Sequence, residues 1–108
     1  MLFESGYDVF LACRRGTQFS RSHETFDLDT KEGLADYFDY NTSSVGEEDI
    51  GAFIDLINTT VTDEAKFNCS GAVQIVATGL GTGEVLAGLA GDSTLADKVN
   101  LVTNLAPC

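Results

Sequence analysis

Thr78-Gly-Leu-Gly-Thr-Gly83 is the segment of this chain best placed to do chemistry. It follows the apolar run Gly71-Ala-Val-Gln-Ile-Val-Ala77 and leads into a helical pattern, so a strand must turn sharply into a helix there. Such turns are where α/β folds bind anions, because the first amides of the helix have no internal partner. The dinucleotide fingerprint G-x-G-x-x-G fails, however: position 84 is Glu84, and its charge would repel a pyrophosphate. The phosphate-binding loop fails too, for want of a following Lys-[Ser/Thr]. A nucleotide-binding α/β domain is thus the weakest reading, and failure to bind adenine nucleotides would remove it. The plainer reading is a tight turn that needs small residues for close packing.

The other candidates are polar. Asn41-Thr-Ser, Asn58-Thr-Thr and Asn68-Cys-Ser are N-glycosylation sequons, headed by three of the five asparagines. Ser and Thr at about one residue in six would give roughly one sequon by chance. A secretory-pathway glycoprotein is expected, secreted or luminal, in a compartment that permits disulfides. Cys13, Cys69 and Cys108 fit no metal spacing, and an odd count leaves a thiol free or bonded outside the chain. His23 is the only histidine and belongs to a loop, where a structural or solvated role is expected. No metal or cofactor is implied. Arg14, Arg15 and Arg21 lie close together, while twelve of the 17 acids fall between Glu24 and Lys66. The expected arrangement is a solvated acidic face beside a basic turn; anion binding or pairing with acids within the fold are the other readings.

The elements that must position these residues are few. Tyr7-Asp-Val-Phe-Leu-Ala12 reads as a short buried strand, rich in β-formers. Residues 14–43 show no clear period and read as a long loop, of the kind that carries function or leans on something else. Ser44-Val-Gly-Glu47 reads as a capping box, and Ile50, Phe53, Ile54 and Ile57 then form one apolar helical stripe. After the strand at 71–77 and the glycine turn, a second helix places Val85, Leu86 and Leu89 on one side and ends near Gly91. Val99 to Leu105 makes a third strand. Strand, helix, strand, helix, strand is an α/β order, with parallel strands joined by crossover helices.

Size and charge narrow the function further. A chain of 108 residues is one domain, and its net charge of -11 leaves little clustered cation for phosphate contacts, so nucleic acid is excluded as an ordinary partner. No apolar run is long enough for a membrane span, and no basic-then-apolar leader opens the chain.

A specific resemblance emerges over residues 6–23. Gly6-Tyr-Asp-Val-Phe-Leu-Ala-Cys-Arg-Arg-Gly-Thr-Gln-Phe-Ser-Arg-Ser-His23 resembles a stretch of the acid lipases, the gastric and lysosomal lipase family of α/β-hydrolases. There a Gly-Tyr-Asp-Val-Trp strand runs into an Arg-Gly turn, then an aromatic, Ser-Arg and a His. Gly46-Glu-Glu-Asp-Ile-Gly-Ala-Phe-Ile-Asp55 is similar to the family's next helix, with Gly51 where proline is usual. Leu101-Val-Thr-Asn-Leu-Ala-Pro107 is similar to its Leu-Ala-Pro strand end. The resemblance covers essentially the whole chain, apart from a small insertion around residues 40–44.

What it implies is a partial α/β-hydrolase fold whose strand-to-helix turn is a nucleophile elbow. The family's elbow reads Gly-His-Ser-Gln-Gly-Thr; the matching stretch is Ala77-Thr78-Gly79-Leu80-Gly81-Thr82, which puts Gly79 at the nucleophile position. Glycine has no atom to attack an ester. Thr78 and Thr82 are displaced from the tip, while the Leu80 amide would still fill one oxyanion-donor position. The family's acid and histidine fall beyond Cys108, so His23 is not that histidine. The resemblance also implies that a strand from earlier in the sequence lies between the strands at 7–12 and 72–77, and Met1-Leu-Phe-Glu-Ser-Gly6 resembles the interior of a family helix. Without that strand the sheet would carry unpaired backbone groups at its centre. The expectation is therefore a catalytically inactive, lipase-like segment, part of a longer polypeptide or completed by another chain. A structural or binding role follows, with other protein chains, a lipid or a glycan as partner. The alternative is an active ester hydrolase whose remaining catalytic residues lie outside the segment.

Overall fold

A computed structural model describes residues 2–63 and 73–107. The glycine-rich turn stands at the junction of a strand and a helix, as its sequence demands. β1 (Val73–Gly79) runs directly into α4 (Leu80–Gly91), and a short α5 (Ser93–Ala96) leads to β2 (Val99–Pro107). β1 and β2 pair in parallel, from Val73 opposite Val99 to Gly79 opposite Pro107. The arrangement is an α/β mix with a two-stranded parallel sheet.

The first half of the chain supplies the helical layer. A 3₁₀ turn (Phe3–Ser5) ends at Gly6 in left-handed backbone. α1 (Lys31–Tyr37) is capped by the Thr30 hydroxyl, which accepts from the Gly33 amide at 3.1 Å. A short α2 (Thr42–Ser44) passes into a π-helical segment (Val45–Ile50) and then α3 (Gly51–Asp63). Ile54 on α3 is fully buried, and Ile50, Phe53 and Ile57 beside it are half-buried, so the apolar stripe faces the core as its spacing predicts. Tyr37, Val45, Ala77, Val85 and Leu95 complete that core.

Four expectations need correction. Residues 7–12 form no strand: the stretch is exposed, with Leu11 at 89%, because among the described residues no strand pairs with it. The loop expected over 14–43 contains α1, whose short length leaves too few turns for a period to show. The capping box sits three residues earlier than expected. Asn41 is the N-cap, its side chain accepting from the Ser44 amide at 3.0 Å, and the Ser44 hydroxyl accepts from the Asn41 amide in return. Finally, α4 buries Thr82, Glu84, Val85 and Gly88 rather than a Val85–Leu86–Leu89 face, and Leu86 is exposed. The cause is a close helix crossing, in which Gly88 must meet the backbone of Gly46.

Candidate functional site: a strand-to-helix elbow with a glycine at its tip

At the end of β1 the chain reverses within one residue. Gly79 takes φ 55° and ψ -129°, a conformation that side-chain-bearing residues rarely adopt. It is the N-cap of α4 and provides no side-chain cap for the first amides of that helix. A Cβ built on Gly79 would meet no atom within 4 Å, and the same holds at Gly81. Leu80, the first residue of α4, is half exposed. The turn therefore has the shape and the open approach of an elbow that displays a side chain, and displays none.

The neighbouring hydroxyls are committed or misplaced. Thr82 is buried, and its hydroxyl donates to the Gly79 carbonyl at 2.7 Å, tying the first turn of α4 to the elbow. Thr78 is exposed on β1, before the tip.

Behind the elbow lies a charged layer. Glu84 is buried at 4% exposure, and its carboxylate pairs with Arg14 Nε at 3.0 Å. Burial pushes the Glu84 carboxyl above its ordinary pKa, against the pull of Arg14, and nearby Asp49 pushes the same way. Arg15 grips Asp49 with both its backbone amide and its Nε, each at 2.7 Å, and reaches Glu48 at 2.5 Å. The Asp49 hydrogen bond holds the Arg15 guanidinium more firmly charged than usual, with Glu48 adding to it against some desolvation. Two of the three clustered arginines are thus paired with acids inside the fold, and Arg21 is exposed. Sequence reasoning left these pairings open; partners 34 positions apart, such as Arg15 and Asp49, share no local pattern.

The remaining candidates are scattered. His23 is exposed, stacked on Phe26 with ring centroids 4.2 Å apart, and its Nδ1 accepts from the Thr25 and Phe26 amides. It lines an open cleft of about 830 Å³ with Cys13, Tyr37 and Tyr40, which none of the residues 78–82 enters. Cys13 is half-buried and forms no disulfide among the described residues; Cys69 and Cys108 lie outside the described residues, as does Asn68. Asn41 is exposed and spends its Oδ1 on the cap, so its amide nitrogen is the atom left for a glycan. Asn58 lies within α3 and is half-buried. No helix among the described residues is long and apolar enough to cross a membrane.

Against known proteins, no protein-family model and no solved structure matches this chain. Two proteins of fission yeast, Schizosaccharomyces pombe, do, and each is named a probable lipase. One is 34% identical over 107 residues, which is 99% of this chain and 22% of that protein. The other is 34% identical over 106 residues, 98% of this chain and 20% of its own length. The chain spans about a fifth of the length of the curated relatives it matches. Its relationship is lipase-like, and it runs through the elbow and the strands and helices that position it.

Proposed function

We propose that these residues form an α/β-hydrolase-like segment, similar to the acid lipases, that lacks the nucleophile and serves a structural or binding role in a secreted or luminal glycoprotein. The observation that carries this reading is Gly79: elbow backbone, open approach, and no side chain to form an acyl-enzyme. The placement of Thr78 and Thr82 adds to it, since neither hydroxyl stands at the tip. The segment belongs with more polypeptide, which supplies a strand to the edge of β1 opposite β2. Supporting this are the exposed apolar stretch at 7–12 and a two-stranded parallel sheet with Val76 and Leu101 exposed, where such sheets are ordinarily covered on both faces.

The persistence of the elbow, together with relatives named as lipases, favours one other reading: an ester hydrolase whose remaining catalytic residues lie outside this segment, or whose nucleophile is an unorthodox threonine, Thr78 or Thr82.

A fluorophosphonate probe and a short-chain ester assay separate the two in the full natural polypeptide. The inactive reading expects no labelling and no turnover with Gly79 in place, and labelling in Gly79→Ser if the remaining machinery is retained. Ester turnover by the natural protein would overturn it, and loss of that turnover in Thr78→Ala or Thr82→Ala would assign the nucleophile. Removal of N-glycans with a fall in mass tests the glycoprotein claim separately.

A further inference from the structure

The open cleft of about 830 Å³ lies away from the elbow, bordered by residues of the turn around Arg15, of the end of α1 and of the start of α3. Its size is that of a small-molecule site, typically about 300–1,000 Å³. Its lining is uneven in charge. Asp36, Asp39, Glu48 and Asp49 all border it, and among the described residues Arg15 is the one arginine or lysine that does.

Arg15 shows how this cleft receives a cation. Its guanidinium is held by Asp49 at 2.6 Å and Glu48 at 2.5 Å, with its central carbon 5.8 Å from the centre of the Tyr40 ring. Asp36 and Asp39 have no such cation. Both are exposed, and neither carboxylate has a hydrogen bond or ion pair from another described residue. They stand at the C-terminal end of α1, where unpaired carbonyls already favour positive charge, and the last turn of that helix carries no basic residue. Two like charges three positions apart also repel each other.

Aromatic rings complete the lining. His23 and Phe26 stack nearly parallel, at 15°, and the His23 ring meets Tyr37 edge-on at 6.0 Å. The Tyr37 hydroxyl is tied to the Gly16 amide and the Ser20 carbonyl, and His23 Nδ1 to two amides. The rings are thus held in place before a ligand arrives.

We propose that this cleft binds an organic cation: an amidinium, guanidinium or ammonium group on an apolar or aromatic body, with Asp36 and Asp39 taking the charge and the His23–Phe26 pair the body. A neutral ligand of the same shape leaves both carboxylates without a partner, and an anion is repelled by them. The same chemistry comes from a free molecule or from an arginine side chain of a partner. The site uses neither Gly79 nor an ester, so it is independent of whether the elbow is catalytic.

Calorimetric titration of the full natural polypeptide at neutral pH and low salt tests this, with benzamidine, N-acetylarginine amide and the neutral benzamide as probes. The two cations are expected to bind saturably at one site, more weakly as salt is added, and benzamide not to bind. Replacing both acids, Asp36→Asn with Asp39→Asn, is expected to weaken the cations about tenfold. Phe26→Leu is expected to weaken benzamidine several-fold. Glu32→Gln, an equal charge change on α1 outside the cleft, is expected to change nothing. All four positions are exposed, so the variants keep the fold. Tighter binding of benzamidine assigns the site to a free aromatic cation, and tighter binding of the arginine amide to an arginine side chain. Absence of saturable binding by either cation overturns the site, as does equal binding of benzamide or an equal loss in Glu32→Gln.

Discussion

Gly46 and Gly88 meet backbone to backbone: a Cβ on Gly46 would lie 2.6 Å from the Gly88 amide nitrogen, and one on Gly88 would overlap the Gly46 carbonyl. Neither residue is in a left-handed conformation, so the requirement is steric. It explains why α4 turns small and polar residues inward and leaves Leu86 outside. Gly46→Ala and Gly88→Ala must each push α4 away from the π-helical segment, and over-packing of this kind costs about 1–3 kcal/mol. Thermal or urea unfolding checks this, and Gly83→Ala is the control, since its Cβ would meet only the Thr42 methyl at an ordinary 3.8 Å.

Gly79 is constrained for the opposite reason. Space around it is open, and only its backbone angles resist a side chain. Gly79→Ala should therefore destabilise by about 1–3 kcal/mol through conformational strain alone, with no repacking of α4. Equal losses in Gly79→Ala and Gly79→Ser, with an unchanged fold by circular dichroism, are the expected result. A much larger loss for serine would mean that the approach to the tip is not open.

The elbow was legible in the sequence because it is local: a β-rich run, two spaced glycines and a helical pattern occupy consecutive residues. The α3 stripe was legible for the same reason. The layer behind the elbow was not, because Arg14 and Glu84, or Arg15 and Asp49, come together only through packing of distant segments. The expected strand at 7–12 failed differently. Its residues favour a strand, but a strand needs a neighbour, and among the described residues none lies beside it. The Asn41 cap was hidden by a competing Ser44-Val-Gly-Glu47 pattern that satisfies the same rule three residues later.

Tyr37 shows what the missed helix contributes. It ends α1 at 6% exposure, and its hydroxyl accepts from the Gly16 amide at 2.9 Å and donates to the Ser20 carbonyl at 2.7 Å. One side chain thus closes the turn after Arg15 at two points. Tyr37→Phe keeps the ring contacts with His23 and Phe38 but removes both hydrogen bonds of the hydroxyl, leaving the Gly16 amide and the Ser20 carbonyl with their direct 3.1 Å bond to each other, at a cost of about 0.5–1.5 kcal/mol per lost bond. Faster amide exchange at Gly16, without loss of α3 protection, is the expected signature.

Two carboxyls give opposite pH signs. Asp92 caps α5, and its hydrogen bonds from the Thr94 hydroxyl and amide hold its carboxyl below the ordinary value of 3.8. The unfolded chain binds that proton more readily, so the Asp92 contribution is complete above the unfolded value and is lost as pH falls toward the depressed folded value. Glu84 runs the other way. Burial raises its folded pKa above 4.5, so between those two values the folded protein binds the extra proton, and its contribution to stability grows as pH falls through the raised value toward 4.5. Urea unfolding across this range should show a wild-type acid-side gain that Glu84→Gln abolishes and Asp92→Asn leaves in place, while Asp92→Asn removes the loss at still lower pH. A Glu84→Gln profile parallel to wild type would show that the carboxyl titrates alike in folded and unfolded chains.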